Sequence, residues 1–510
     1  MKQLKNWKIY LLLFLYTVLM AFLCVGSSPL LDYMDPDSQN FRLMGRAVAA
    51  GQVAFRDIFD HKGLYIYFID ALGALICPGS SFGIFILETL CYFINTLIVY
   101  KIALLFTGKQ LPSFLSAAAF LAYFFNYFTF ITGNLTEDWS VFLQMTAVWL
   151  IVKYYFIDRT VEHRPVYMFV HGILATVAGF MRPNNAGMWI PFGVVLAVRL
   201  LSSGKIKNFL FNLGALCMGV FTGALPLLVY GIKYDIFEDI MYGTFGANMT
   251  YTSNNNGFHR FFGFIKEFVT NPAVLVFITG IIGCVIVFRC IGKETSEEKW
   301  FKLTFLFMFV GSLVFMNVSM RNNGQYQHLY IIFSIPVFIG LFSGLEELRT
   351  KKAAKLSSSL YACLFTIIII CAGIVANLGL IKQVMKLGSY HYLYEAAVDM
   401  DKLIGDKDST VLVTGCNSVM YNETHTLSHI KYFITYGGGL DYSVFPDATL
   451  QQRDSILSME NDYIIIHFDK ENCPYGIEEV DKEIMDCLNS GYERIYYKSE
   501  GEVIGLYKRI

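Results

Sequence analysis

Residues 31–68 read LDYMDPDSQNFRLMGRAVAAGQVAFRDIFDHKGLYIYF, and they follow directly on the apolar opening MKQLKNWKIYLLLFLYTVLMAFLCVG at residues 1–26. Asp32, Asp35, Asp37, Arg42, Arg46, Arg56, Asp57, Asp60, His61 and Lys62 are thus placed hard against a membrane, where an ionisable group is costly and rarely idle. Asp35-Pro36-Asp37-Ser38 is a helix start: Asp35 can cap, Pro36 suits the first turn, and Asp37 sits where the helix dipole favours an anion. The following residues put Phe41, Met44 and Val48 on one face, and Gly51 can close the helix. Such a stripe fits either a helix lying on the membrane surface or one packed on the rest of its own loop. The chain then returns through DHKGLYIYF, bringing Lys62 back toward Asp37.

Composition sets the class. Of the 510 residues 55% are hydrophobic and only 16% charged, against about 25% charged in a soluble domain. The protein is a polytopic α-helical membrane protein. A net charge of −1 offers no basic stripe for phosphates, which excludes a nucleic-acid partner. Eleven cysteines lie without CxxC or Cys/His spacing, most within apolar runs, and read as core residues. The opening segment is too long for a signal peptide and lacks a small-residue cleavage site, so it reads as a retained first helix.

Runs long enough for a bilayer of about 30 Å occur near 8–27, 83–106, 112–132, 139–157, 165–181, 187–202, 208–231, 267–289, 301–319, 328–345 and 356–380, about 11 helices. Lys2, Lys5 and Lys8 precede the first, and every second connection is basic thereafter, from Lys101 and Lys109 through to Lys351 and Lys352. The excess of Lys and Arg on alternate loops puts the N-terminus in the cytoplasm. An odd helix count then puts the C-terminal segment outside. The opposite loops share that outer face: 28–82, GNLTED at 133–138, RPNN at 182–185, 232–266, and RNNGQYQHLY at 321–330. They carry acids, Asn, His, Tyr and Arg at helix ends, as a site at the outer surface requires.

Two domains are expected: a transmembrane domain over 1–384 with its outer loop 28–82, and an extracytoplasmic α/β domain over 385–510. In the latter, SYHYLYEAAVDMDKLIG, DATLQQRDSILSME and GIEEVDKEIMDCLNSG have helical periodicity, while STVLVTG, NDYIIIHF, ERIYYKS and EVIGLYKR read as short strands. No Gly-rich phosphate loop follows STVLVTG, which argues against a nucleotide site.

The stretch DPDSQNFRLMGRAVAAGQVAFRDIFDHKGLYIYFIDALG resembles the first outer loop of the GT-C membrane glycosyltransferases, in particular bacterial family 39 proteins related to protein O-mannosyltransferases and aminoarabinose transferases. Asp37-Ser38, Phe41 four residues after the acid, and the DHKGL turn carry the likeness; RPNN at 182–185 and YQHLY at 326–330 are similar to further family segments. Asp37 is followed by Ser, and Lys62 by Gly-Leu where many relatives have Pro-Pro. The resemblance covers roughly residues 1–380. It implies an inverting hexosyl-type transfer from a polyprenyl-phosphate-linked sugar, with membrane lipid around the donor, to a glycan, glycolipid or protein acceptor. Asp37 would be the general base, with Asp35 its competitor, and Lys62, Arg182 and His328 would bind the donor phosphate. Asp60 and His61 are further loop candidates. Glu137 and Asp138 would orient the acceptor or hold a divalent cation, since hard cations take carboxylate oxygens; capping their own helix is the simpler alternative. No other cofactor is implied. A transporter or flippase for lipid-linked saccharides, and a non-catalytic envelope polysaccharide assembly protein, are the competing readings; the former favours inverted repeats and midplane charges, which the sequence lacks.

Overall fold

A computed structural model describes residues 6–247, 257–290, 295–317, 323–351, 389–406, 408–433, 446–468, 478–499 and 503–510. The chain forms two compact units. The first comprises Met1–Leu31, Phe85–Leu228 and Asn255–Leu380; the second comprises Asp32–Ile84, Val229–Asn254 and Ile381–Ile510. Most of the expected outer loop 28–82 therefore groups with residues of the C-terminal region.

The first unit is helical. Seven helices among the described residues are long and apolar enough to cross a membrane: Asn6–Cys24, Phe82–Thr107, Thr136–Asp158, Pro183–Ser202, Ile206–Tyr234, Ser296–Met316 and Gly324–Glu347. Gln110–Phe124, Pro165–Met181 and Val274–Arg289 are shorter apolar helices of the same unit. Each expected run from 8–27 to 328–345 coincides with one of these, and the run at 356–380 lies outside the described residues. Apolar side chains point outward as well as inward. Leu15, Leu19, Phe211, Met218 and Phe221 are exposed, as in helices built to face hydrocarbon. Helix contacts rely on small residues: a Cβ on Gly172 would meet the Leu216 carbonyl at 2.6 Å, and one on Gly219 the Phe169 carbonyl at 2.1 Å, so the Pro165–Met181 and Ile206–Tyr234 helices touch backbone to backbone.

The second unit contains a four-stranded sheet, β1 (Val411–Thr414), β2 (Tyr463–Phe468), β3 (Tyr492–Lys498) and β4 (Val503–Arg509), in the order β1-β2-β4-β3. β1 and β2 are parallel; β4 runs antiparallel to both β2 and β3. All four expected strands are present, and the three expected helices appear as Ser389–Leu403, Pro446–Leu457 and Glu478–Gly491. The parallel pair is apolar but for Thr414 and His467 and buried but for His467, as strands covered on both faces are. Leu412, Ile464 and Ile466 pack with Ile456, Ile484 and Leu488 of the helices.

Also in this unit are the Pro36–Ala49 and Leu64–Ile76 helices. The first begins as the sequence dictates: Asp35 is the N-cap, its carboxylate accepting the Asp37 N–H at 2.9 Å, and Pro36 opens the first turn. Gly51, at φ 96°, follows its end, a conformation only Gly adopts freely. The helix does not present one apolar face to a membrane surface. Ser38 to Gly45 are all buried, because one side packs on Leu64–Ile76 and its polar residues find partners near Val419–Glu423. A Cβ on Gly45 would come within 2.3 Å of the Asp70 Cβ, which fixes how closely the two helices approach.

Candidate active site

The expected site residues form two constellations, one in each unit. In the second unit Asp35 and Asp37 share the first turn of the Pro36–Ala49 helix but differ in employment. The Asp35 carboxylate is spent as the cap. Burial pushes it up to about 7, the charge of Asp37 adds to this, and the Asp37 N–H offsets only part. Asp37, half-buried, has no hydrogen-bond or ion-pair partner for its carboxylate among the described residues. Phe41, one turn further along the same face, packs at 6.4 Å from the Tyr67 ring.

Tyr67 organises the DHK turn. Its hydroxyl donates to Asp60 Oδ2 at 3.0 Å and accepts the Lys62 N–H at 3.0 Å. Asp60 Oδ1 accepts the His61 N–H at 2.8 Å and lies 3.2 Å from His61 Nδ1, while His61 Nε2 is 2.9 Å from Lys62 Nζ. The three side chains form a line, Asp60 to His61 to Lys62, that aims the ammonium. Burial alone would push Asp60 upward, but the His61 hydrogen bonds and the charges of His61 and Lys62 outweigh it and hold the carboxyl at about 2. Asp60 thus stays ionised and acts on Lys62 through His61. The phenol of Tyr67 lies within range of the charges of both Asp60 and Asp37, which ties the turn to the helix start.

In the first unit, three segments far apart in sequence converge. Ile131, Gly133 and Asn134 all have positive φ, at 57°, 84° and 54°, and this sharp bend delivers Glu137 and Asp138 to the first turn of the Thr136–Lys153 helix. Glu137 pairs with Arg182 of RPNN, whose guanidinium lies 3.7 Å over the ring of Tyr326. Asn185, also of RPNN, donates to the Thr136 carbonyl at 3.0 Å and to Ser140 Oγ at 2.7 Å. Asp138 caps its own helix at the Leu135 N–H, 3.0 Å, and its other oxygen is 3.4 Å from Nε2 of His328 in YQHLY. His328 is wholly buried, with Nδ1 at 2.9 Å from Thr129 Oγ1 and Phe124 against its ring. The Arg182 side chain keeps 14% of its surface exposed and Tyr326 is half-buried as well, whereas Glu137, Asp138, Asn185 and His328 are buried.

Sequence reasoning missed four members. Tyr326 lies inside a quoted segment but carried no assignment. Asn134 accepts from Trp139 Nε1 at 2.9 Å. Tyr67 gave no signal beyond an aromatic in an apolar run. Glu88 did give one: it is a lone acid within ILETLCYF, and such residues are normally paired and purposeful. It accepts the Asn134 N–H at 2.6 Å, the Tyr92 hydroxyl at 2.9 Å and the Ser27 hydroxyl at 2.5 Å, holding the bend that presents Glu137 and Asp138. Among the described residues no group of three or more His, Cys, Asp or Glu is placed to hold a metal ion, and the Glu137 carboxylate is already occupied by Arg182.

The fold is shared with solved structures of membrane proteins. ArnT from Cupriavidus metallidurans bound to undecaprenyl phosphate is 12% identical, covers 97% of this chain and 97% of its own, and superposes with a TM-score of 0.55. Its apo form is 10% identical over 98% of each chain, with a TM-score of 0.51. The Archaeoglobus fulgidus oligosaccharyltransferase AglB, in complex with an inhibitory peptide and a dolichol-phosphate, gives 12% identity over 98% of this chain and 74% of its own, with a TM-score of 0.47. No protein of curated description matches the sequence. The chain belongs to the family described as "Putative competence-induced protein Ccs4 N-terminal domain", which matches residues 2–374.

Proposed function

We propose that the protein is an integral membrane glycosyltransferase that moves a sugar from a polyprenyl-phosphate donor to an acceptor hydroxyl outside the cytoplasm. The observation that carries this is the contrast within one helix turn: Asp35 is consumed as the cap, whereas the Asp37 carboxylate has no partner among the described residues and its charge reaches Tyr67, which organises the Asp60-His61-Lys62 turn. Asp37 takes the proton of the acceptor hydroxyl as its oxygen attacks the anomeric carbon. The bond from that carbon to the phosphate oxygen breaks, polyprenyl phosphate leaves, and the configuration inverts. Lys62 supplies positive charge for the phosphate, while Asp60 and His61 orient Lys62. Glu137, Asp138 and His328 serve by holding Arg182 and the start of their helix in place.

The likeness of fold to ArnT supports this reading. So do the basic loops, which favour a cytoplasmic N-terminus, residues 1–384 as the membrane part and residues 385–510 as an outer α/β domain. The test is transfer by the purified protein in lipid bilayers, using a radiolabelled polyprenyl-phosphate sugar and a crude envelope acceptor fraction. Asp37→Asn keeps size and folding but cannot take the proton, so turnover should fall about 10²–10⁴-fold. Full activity of Asp37→Asn would rule out Asp37 as the base, and full activity of the double variant Asp35→Asn/Asp37→Asn would end the proposal.

A further inference from the structure

The Pro36–Ala49 helix is held from the far end of the sequence. Asn422 Nδ2 donates to Gln39 Oε1 at 2.7 Å and to the Gln39 carbonyl at 2.9 Å. Ser418 donates its hydroxyl to Asn40 Oδ1. Arg42 Nη1 reaches Glu423 Oε1 at 2.7 Å, with both side chains nearly sealed from solvent, 4% and 10% exposed. One turn on, Arg46 Nη1 donates to the Tyr421 carbonyl at 3.0 Å and to Asn422 Oδ1 at 3.1 Å. The segments on either side of the helix are tied as well: Tyr394 donates to Asp32 Oδ2 at 2.6 Å, and Gln52 Nε2 to the Ser428 carbonyl at 2.8 Å.

These contacts are directional. An apolar face tolerates sliding by a fraction of a turn, whereas a run of hydrogen bonds, buried at Gln39, Asn40 and Arg42 and part-buried at Arg46, admits one register. The clamping residues are themselves fixed, because the Tyr421 hydroxyl accepts the Val413 N–H of β1 at 3.0 Å. A continuous path therefore runs from the sheet through Tyr421, Asn422 and Glu423 to the helix whose first turn carries Asp37.

We propose that Asn422 and Glu423 are positioning residues of the transfer reaction, through which the C-terminal α/β domain sets the register of the helix that carries the general base. This rests on the reading of Asp37 as that base. It gives the domain a catalytic duty distinct from recognising an acceptor.

The experiment uses the full chain in bilayers, with the labelled donor and acceptor fraction above. Glu423→Ala should lower kcat about ten- to a hundredfold, the scale of a misplacement near 1 Å, with the KM of the donor unchanged. Glu423→Gln, which keeps an oxygen for Arg42, should recover most of the loss. The double variant Arg42→Met/Glu423→Leu removes both buried charges and should melt near the wild type, yet stay slow. If its kcat returns together with its melting temperature, the pair is only structural and the proposal is wrong. Hydrogen exchange of the amides of residues 38–49 reads the clamp without any turnover. Faster exchange in Glu423→Ala is expected, and unchanged exchange overturns the clamp. A wild type that transfers no sugar while its Glu423→Ala form still shows the loosening would instead refute the transferase reading and, with it, the catalytic role given to the clamp.

Discussion

Replacing Asp35 by Asn should stabilise the protein above neutral pH and leave it little changed in acid. The folded chain keeps the Asp35 proton up to about 7, while the unfolded chain releases it near 3.8. Between those values the folded state binds more protons, so the stability Asp35 contributes is complete below about 4 and is lost as the pH rises through about 7. A shift of that size corresponds to about 4 kcal/mol against the charged form. Because the carboxyl is half-buried rather than sealed, screening reduces what reaches global stability to roughly 2 kcal/mol. Asn caps a helix about as well as Asp and can still accept the Asp37 N–H, so the substitution removes the charge and keeps the turn. Thermal unfolding in bilayers at about pH 5 and about pH 8 should show a gain on the order of a few degrees, mostly at the higher value. Asp37→Asn should shrink the same pH dependence, because its charge is one of the causes. An equal gain at both pH values, or none at either, would refute the assignment of burial and Asp37 as the origin of the shift. In the transfer assay Asp35→Asn should retain turnover; if it is the inert variant and Asp37→Asn is active, the base is Asp35.

Lys62→Met should raise the donor KM and slow release of the phosphate, whereas Asp60→Asn should do the same more mildly, since it only frees the ammonium to wander; steady-state kinetics with varied donor separate the two. Glu88→Leu strands the Asn134 N–H and the Tyr92 and Ser27 hydroxyls, so it should destabilise the membrane unit by about 1–3 kcal/mol and lower activity, read by melting and turnover together. An impermeant maleimide on intact cells should label a cysteine at Lys402 and spare one at Lys205; labelling at Lys205 would overturn the orientation.

What was legible in the sequence was what local chemistry decides. Asp35-Pro36-Asp37 announced a capped helix because capping is settled within four residues, and Gly51 announced its end. The strands and helices after Ser389 showed their periods because each has a face to bury. The grouping of GNLTED, RPNN and YQHLY was signalled only by their common side of the membrane; that Glu137 meets Arg182 while Asp138 meets His328 is a matter of helix packing, which leaves no local pattern. The pairing of Arg42 with Glu423, 381 residues apart, was hidden for the same reason. Of the two placements open for the Pro36–Ala49 helix, the apolar stripe alone could not choose, because the deciding partners of Gln39, Asn40 and Arg42 come from the other end of the chain.

That distance has a consequence for biogenesis. A ribosome adds about 5–20 residues per second, so on the order of tens of seconds separate the synthesis of Arg42 from that of Glu423. Throughout that interval the nascent loop helix holds two guanidiniums and two amides whose permanent partners do not yet exist. The earliest-made part of the second unit is consequently among the last to mature, and a chain that stops short of Glu423 carries its defect at residue 42.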